Sequence, residues 1–208
     1  MGVLDGALGV GTVLSIAGES VELHCVLEPG IVPRQRVDVL LALPRPKVMR
    51  RLWAQLAALG VGRIILTNAA RVERSYFDTH ILEEACYRPL LIEGLQQARD
   101  TRLPEVVVRR QLKVLLEDAL GGLFPHGLRV LAEPGAGRPL RPVVMESAEE
   151  RVLLAVGPEG GWTTYELDLL ALHGFHLAGA GPRPLRTDTA CVALLAIIHD
   201  ALGARAAS

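Results

Sequence analysis

Charged side chains gather in one segment of the sequence that otherwise consists of small and apolar residues. The segment GAGPRPLRTDT, residues 179–189, holds Arg183, Arg186 and Asp188 among glycines and prolines. A carboxylate and two guanidinium groups at this spacing suit proton transfer or the binding of a phosphate. Alternatively, Asp188 caps the helix that follows and the arginines are solvated, and the residues alone leave both interpretations open.

A second loop, GPEGG at 157–161, has the composition of a backbone-lined ligand site. Glycines allow backbone N–H groups to approach a ligand closely, and the start of a helix just behind them favours anionic groups. The loop matches neither the Walker pattern nor G-x-G-x-x-G, which argues against nucleoside triphosphates and dinucleotides. A tight connection without a ligand is the alternative interpretation.

The elements around both loops predict a common position for them. Each loop follows a short apolar run, residues 152–156 and 175–180, and each precedes a helical pattern, at 164–173 and 188–202. The spacing of Thr163 and Glu166 predicts a capping box at the start of the first of these helices. We therefore expect both loops at the carboxyl ends of neighbouring strands, where open α/β sheets bind small molecules.

The remainder of the chain after residue 36 alternates strands and helices, which predicts an α/β fold with a parallel sheet of five or six strands. Further strands are expected at 37–43, 61–67, 105–110 and 128–133, and further helices at 47–60, 81–99 and 111–120. In the first helix, Gly60 is expected in a left-handed cap, and the buried face is expected to contain Val48, Leu52, Leu56 and Leu59. Pro89 either kinks the second helix or begins a new one.

The first 36 residues predict a small β unit. Strands are expected at 3–6, 9–16 and 20–28, and the alternation in VELHCVL, residues 21–27, predicts a half-buried antiparallel strand. Such a small sheet is marginal alone and needs a surface to pack on.

Composition narrows the class of protein. The 208 residues are 50% apolar and 22% charged with a net charge of −1, so a soluble globular protein is expected and any contact with RNA must come from local patches. We expect no membrane span, a cytoplasmic location and no metal site. The scattered Cys25, Cys86 and Cys191 are expected to be buried.

The two loops and their surroundings resemble a known family. VGPEGGWTTYELDLL at 156–170 and GPRPLRTDTA at 181–190 are similar to the signature of the SPOUT-class RNA methyltransferases, and more narrowly of the RsmE family, which methylates N3 of a uridine in 16S ribosomal RNA. LPRPKVMRRLWAQLAALGVGRIILTNAARVERSYF at 43–77 and LQQARDTRLPEV at 95–106 extend the resemblance, which covers residues 3–202.

The resemblance implies S-adenosylmethionine as cofactor, a SPOUT-type parallel sheet with a C-terminal trefoil knot, and a homodimer formed through the knot. It also implies that three loops hold the cofactor mainly through their backbone. The residues carried over to cofactor binding are Leu131, Ala132, Glu133, Gly157, Pro158, Glu159, Gly160, Gly161, Ala180, Gly181, Pro182, Leu185, Arg186 and Thr187.

The resemblance also suggests roles in catalysis, and a cluster of basic residues upstream indicates an RNA-binding surface. Uridine N3 must lose its proton as it attacks the methyl group, so we expect Arg186 to stabilise negative charge on the uracil and Asp188 to position or deprotonate N3. Arg183 would contact cofactor or RNA phosphate. The expected RNA-binding residues are Arg45, Lys47, Arg50, Arg51, Arg71 and Arg74, with Tyr76 and Phe77 between the basic residues and Arg34 and Arg36 adding phosphate contacts.

The sequence departs from the family pattern at three places. Asp188 stands where the family usually has Glu, Ala58 where it often has Glu, and Arg99-Asp100 where Gly-Arg is usual. Residues 1–36 resemble only the second half of the family's PUA-type RNA-binding β-barrel, so we expect a partial PUA-like domain followed by a methyltransferase domain at 37–208. Two alternatives remain open: a SPOUT methyltransferase acting on another RNA such as tRNA, and a catalytically silent RNA- or ribosome-binding relative.

Overall fold

A computed structural model describes residues 1–33 and 35–206, which form two separate sheets. A six-stranded sheet has the order β5-β4-β3-β7-β6-β8, and every pairing in it is parallel. Its strands are β3 Val37–Ala42, β4 Val61–Thr67, β5 Glu105–Arg109, β6 Leu128–Ala132, β7 Val152–Val156 and β8 Phe175–Ala178. A two-stranded antiparallel sheet consists of β1 Gly9–Ala17 and β2 Ser20–Leu27.

Helices connect the strands of the larger sheet. Their bounds are α1 Pro46–Ala58, α2 Glu84–Ala98, α3 Leu112–Val114, a π-helical turn Leu115–Ala119, α4 Leu120–Leu123, α5 Leu140–Glu146, α6 Thr164–Leu172 and α7 Thr187–Ala206, with short 3-10 turns at Arg74–Asp78 and His80–Leu82. The central strands β3 and β7 are buried along their whole length, as an apolar strand covered by helices on both faces should be. The α/β class and the count of six strands are thereby confirmed.

One prediction about the sheet is wrong in a way that matters for the site. The strands before the two glycine-rich loops are not neighbours, because β6 lies between β7 and β8. The carboxyl end of β6 therefore lies between the two loops, and the loop after β6 joins them at this edge of the sheet.

The N-terminal unit differs most from the expectations. Residues 3–6 form no strand, although Gly2 and Leu8 share an isolated bridge, and every residue of β2 is exposed rather than half-buried. The alternation of residue types is present, but no described element covers the apolar face of the hairpin. Cys25 lies on this hairpin and is exposed, Cys86 is half-buried, and only Cys191 is fully buried, so the expectation that all three are buried is wrong for Cys25.

Three details of the helices also differ from the sequence pattern. The buried face of α1 includes Met49 and Trp53 beside Leu52 and Leu56, whereas Val48 and the C-cap residue Leu59 are only partly buried. Pro89 lies inside the single helix α2. The helix predicted at 111–120 contains the π-helical turn, and α5 was not predicted at all.

The last helix is long and apolar. Over Thr187–Arg205 its mean hydropathy of 1.3 and its length satisfy the criteria for a membrane-crossing helix. Cys191, Leu195 and Ile198 on one of its faces are completely buried, and α7 contacts β3, β7, α1 and α5. A helix of the protein core meets the same criteria of length and composition.

Candidate functional site

A cavity of about 330 Å³ opens at the carboxyl ends of β6, β7 and β8. Its size lies at the lower end of the range for small-molecule sites. Backbone and small side chains from the three loops form most of its wall, and the start of α7 closes one side. The lining residues are Ala132, Glu133, Pro134, Val156, Gly157, Pro158, Glu159, Gly160, Gly161, Trp162, Gly179, Ala180, Gly181, Arg183, Pro184, Leu185, Thr187, Ala190 and Leu194.

Backbone hydrogen bonds hold two of the loops against each other. The N–H of Glu133 donates to Ala178 O at 3.1 Å, and the N–H of Gly135 donates to Gly181 O at 3.2 Å. A Cβ atom at Gly179 would lie 2.6 Å from the carbonyl oxygen of Glu133, so only glycine permits this close approach. The loops therefore form a fixed wall, which suits a ligand gripped by the backbone.

The GPEGG loop is fixed from behind by the predicted capping box. Thr163 accepts a hydrogen bond from the N–H of Glu166, and the Glu166 carboxylate accepts from the N–H of Thr163 at 2.8 Å. The same carboxylate accepts from the N–H of Ala70 at 2.7 Å, which joins the start of α6 to the segment after β4. The capping box is confirmed, and it has an additional partner that sequence spacing could not show.

The cavity carries both negative and positive groups. Burial raises the pKa of the Glu133 carboxyl above its ordinary value. Glu159 accepts a hydrogen bond from the N–H of Arg45 at 3.3 Å, and Arg183 also lines the cavity. Two carboxylates and one guanidinium around an apolar cavity match a ligand that carries both cationic groups and a carboxylate.

Trp162 is a wall residue that the sequence analysis missed. It is buried at 5% exposure, and its indole Nε1 donates to no partner within the described residues. A Cβ atom added to Gly157 would lie 2.9 Å from this nitrogen, so the indole edge lies directly behind the loop. Trp162 directly follows GPEGG in the sequence, and this position beside a predicted ligand loop could have indicated that it lines the site.

Most of the predicted cofactor residues line the cavity, but three do not. Leu131 is fully buried within β6, while Pro182 and Arg186 lie on the exposed outer part of their loop. Arg183, predicted for catalysis, lies in the cavity wall. Pro134, Val156, Trp162, Gly179, Pro184, Ala190 and Leu194 are additional wall residues that the motifs did not predict.

The other two predicted catalytic residues lie beside the cavity. Asp188 in the first turn of α7 forms an ion pair with Arg51 of α1, with Nη2 and Oδ2 2.7 Å apart. The hydrogen bond from Arg51 and the adjacent N–H of Thr189 hold the pKa of the Asp188 carboxyl below its ordinary value, although partial burial opposes this. Arg186 is exposed, and its side chain makes no hydrogen bond or ion pair to residues 1–33 or 35–206.

The predicted RNA-binding residues are exposed on the same side as these loops, and some of them contact the site. Arg45, Lys47, Arg50 and Arg51 surround the start of α1, and Arg74 is exposed after β4. Arg71 donates from Nη1 to the carbonyl oxygen of Gly160, so it supports the GPEGG loop as well.

The aromatic residues of this face are less available than the sequence suggested. Phe77 is buried at 6% exposure under the guanidinium of Arg110, so it cannot stack on a base, and Tyr76 is half-buried with its hydroxyl donating to Glu73 at 3.0 Å. Arg36 donates to Leu202 O at 3.4 Å, and Arg34 lies outside the described residues.

A parallel α/β sheet carries a backbone-lined pocket at the carboxyl ends of its strands, flanked by an arginine-rich face. These features define an α/β protein with a candidate small-molecule site beside a basic surface. Comparison with known proteins identifies the class more closely. The chain belongs to the RNA methyltransferase domain family, whose model matches residues 32–199. The resemblance to the RsmE family is confirmed by curated relatives.

Two of these relatives come from spirochaetes. The chain is 29% identical to "Ribosomal RNA small subunit methyltransferase E" of Treponema pallidum over 78% of its own length and 61% of the relative's. It is 30% identical to "Ribosomal RNA small subunit methyltransferase E 1" of Borreliella burgdorferi over 76% of its own length and 65% of the relative's. The chain thus spans less than two thirds of the length of these relatives.

A solved structure shows the same fold. It is the crystal structure of a Ribosomal RNA small subunit methyltransferase E from Neisseria gonorrhoeae, bound to S-adenosyl methionine. The two structures have a TM-score of 0.75 and 18% sequence identity, and the match covers 94% of this chain and 79% of that chain.

Proposed function

We propose that this protein transfers a methyl group from S-adenosylmethionine to N3 of a uridine in 16S ribosomal RNA. One observation carries the proposal: a backbone-lined cavity at the ends of β6, β7 and β8 adjoins an Asp–Arg pair and an exposed basic face. The names of the relatives support ribosomal RNA of the small subunit as the substrate.

The residues of the cavity fit the proposed cofactor. S-adenosylmethionine carries an ammonium group, a sulfonium group and a carboxylate, and Glu133, Glu159 and Arg183 all line the cavity. The buried Nε1 of Trp162 has no hydrogen-bond acceptor among the residues that the structure describes, which costs free energy. An acceptor atom on a bound ligand would remove part of that cost. Glycines leave space for a ligand against the backbone of two loops.

When bound, the cofactor supplies an electrophilic methyl group on sulfur. The residues of this chain then have to orient the uracil, assist the loss of the N3 proton and balance the charge on the uracil oxygens. Arg186 is exposed near the cavity mouth and is suited to the oxygens. Asp188 is ionised at neutral pH, and its lowered pKa makes it a weak base, so its role is to accept a hydrogen bond from N3–H and orient the uracil. The N3 proton itself then passes to solvent water.

The exposed arginines and Lys47 at the start of α1, with Arg71 and Arg74, form the proposed RNA surface. Their guanidinium groups can bind phosphates in a forked geometry, and a target uridine would have to be single-stranded or flipped out to reach the cavity. Arg45 and Arg71 also contact the GPEGG loop, so this surface and the cofactor wall share a boundary.

Further parts of the architecture belong to the proposal. We infer a trefoil knot in the C-terminal part of the sheet, a homodimer formed through it and a cytoplasmic location with the ribosomal substrate. The parallel bridge between Pro139 and Gly179 and the hydrogen bond from Leu140 N to Gly179 O support close interlacing of the loops. The separate β1–β2 sheet supports a PUA-like unit at 1–36 distinct from the methyltransferase domain at 37–208.

Calorimetric titration with S-adenosylmethionine, followed by mapping of modified nucleosides in ribosomal RNA and tRNA from a strain lacking the gene, tests the proposal. We expect one binding site per chain and loss of N3-methyluridine from 16S RNA alone. Absence of binding heat would favour a silent RNA-binding relative, and loss of a modified nucleoside from tRNA would favour another RNA substrate.

A further inference from the structure

Arg51 connects the proposed RNA surface to the proposed catalytic carboxylate. It lies on α1 among the basic residues, and its Nη2 donates to Asp188 Oδ2 at 2.7 Å across the contact between α1 and α7. The Arg51 side chain is 57% exposed, whereas the Asp188 side chain is 19% exposed. The pair therefore has an inner partner near the cavity and an outer partner that faces solvent.

Only one edge of the guanidinium is used in this contact. Arg51 donates to Asp188 through Nη2, while its Nε and Nη1 atoms donate to none of the described residues. A guanidinium has five N–H donors in a fixed planar fork, so one group can bind a carboxylate and a phosphate at the same time. Lysine, a point charge on a flexible stem, reproduces the charge without this planar geometry.

We propose that Arg51 is a positioning residue that holds Asp188 toward the uracil while its outer edge binds a phosphate of the RNA. The inference rests on the proposed function, because both the RNA and the Asp188 carboxylate take part in the proposed methyl transfer. Arg51 then acts on the reaction through Asp188 and not by touching the uracil. RNA that occupies the outer edge stiffens the pair, so that the carboxylate is oriented when the substrate is in place.

The pairing with Arg51 affects the pKa of the Asp188 carboxyl in a direction that can be stated in advance. Arg51 from α1 is the charged group with the largest effect on the Asp188 carboxyl, and Cys191 one turn along α7 is also coupled to it. The Cys191 thiol stays neutral because burial raises its pKa to about 12. Removal of Arg51 therefore raises the pKa of Asp188 toward the ordinary aspartate value of about 3.9.

Carbon-13 NMR of protein labelled at aspartate carboxyls measures this directly, with Asp188→Asn identifying the signal. In the unaltered protein we expect the Asp188 signal to titrate below the ordinary range, and in Arg51→Ala we expect its midpoint to move upward. Arg51→Lys should restore part of the difference. An Asp188 signal with the same midpoint in all three proteins would overturn the proposal.

Kinetics with small ribosomal subunits as substrate separate positioning from simple RNA binding. At saturating RNA, Arg51→Ala should lower kcat by about tenfold. This is less than the roughly 10²- to 10⁴-fold contribution of a group that itself acts as an acid or base, because Arg51 acts only through Asp188. The matched control is Arg50→Ala, which removes the same charge from the next residue of α1, where the side chain is exposed and makes no contact with Asp188. Arg50→Ala should raise KM for RNA without lowering kcat.

Two outcomes would contradict the role of Arg51. One is a kcat of Arg51→Ala equal to that of Arg50→Ala, which would make Arg51 an RNA contact only. The other is a loss of cofactor affinity or of thermal stability large enough to explain the lower rate, which would make it structural. A wild-type protein that binds cofactor but methylates no RNA would overturn the proposed function instead, and the carboxyl titration would still test the pair.

Discussion

Two glycines of the cavity wall are positions where the absence of a side chain has a measurable consequence. Gly157 lies against the indole of Trp162, and Gly179 lies against the backbone of Glu133. Glycine-rich loops are recognisable in a sequence, but the contact that makes a glycine necessary is not. Trp162 lies in the same loop as Gly157, whereas Glu133 comes from a different loop than Gly179. The motifs therefore located the glycine-rich loops, while the close approach of Gly179 to Glu133 depended on a contact between residues that only folding brings together.

Gly157→Ala should weaken cofactor binding by at least about tenfold. The new methyl group would lie 2.9 Å from Trp162 Nε1, so the indole or the loop must shift, and both line the cavity. Calorimetric titration with S-adenosylmethionine measures the effect. Gly137→Ala is the control, because a Cβ atom there meets nothing within 4 Å, and equal affinities of the two variants would contradict the steric argument.

Asp188→Asn should lower kcat by about a hundredfold while cofactor affinity changes little. The amide keeps the shape of the side chain but loses the charge that accepts the hydrogen bond from N3–H and that Arg51 stabilises. Rates of methyl transfer to small ribosomal subunits, compared with cofactor binding by calorimetry, check this expectation. A variant that methylates at the full rate would exclude a role for the carboxylate.

Features of the helices and strands that depend on neighbouring residues were predicted correctly, whereas features that depend on tertiary contacts were not. The capping box at α6 and the left-handed Gly60 after α1 depend on neighbours in sequence, and both are present. The order of β7, β6 and β8 depends on a crossover that no local pattern encodes. The π-helical turn at Leu115–Ala119 and the exposure of β2 likewise depend on what packs against each element.

Thr163→Ala should lower the free energy of unfolding by about 1 kcal/mol, the usual cost of losing an N-cap side chain. The change removes the acceptor for the N–H of Glu166 and one donor to its buried carboxylate. Urea denaturation followed by circular dichroism measures the loss. Thr163→Ser keeps the hydroxyl and should lie near the unaltered protein, so an equal loss in both variants would assign the effect to the methyl group.

For the whole molecule, His199 on α7 makes stability depend on pH. Burial lowers the pKa of its imidazole, nearby Arg36 lowers it further, and Nε2 has no partner within the described part of the chain. The unfolded chain therefore binds this proton more readily than the folded protein. The contribution of neutral His199 is complete above the unfolded pKa of about 6.5 and is lost as the pH falls through the lower folded value.

The free energy of unfolding of the unaltered protein should fall between pH 7.5 and pH 5.5. We expect it to fall less in His199→Gln. Urea denaturation at the two values measures it. The exposed His176 provides the control, since His176→Gln should leave the pH dependence as it is in the unaltered protein. If both variants show the original pH dependence, titration of His199 contributes nothing to stability.

The strand order also determines when the site can exist during synthesis of the chain. The β5-β4-β3 half of the sheet uses residues 37–109, whereas the cavity wall extends from Ala132 to Leu194. A growing chain can therefore assemble the basic start of α1 on its strands while the cavity wall is still being translated. During translation, the surface proposed to bind RNA is therefore expected to form before the cavity is complete, and the proposed methyl transfer requires that α7 has emerged from the ribosome.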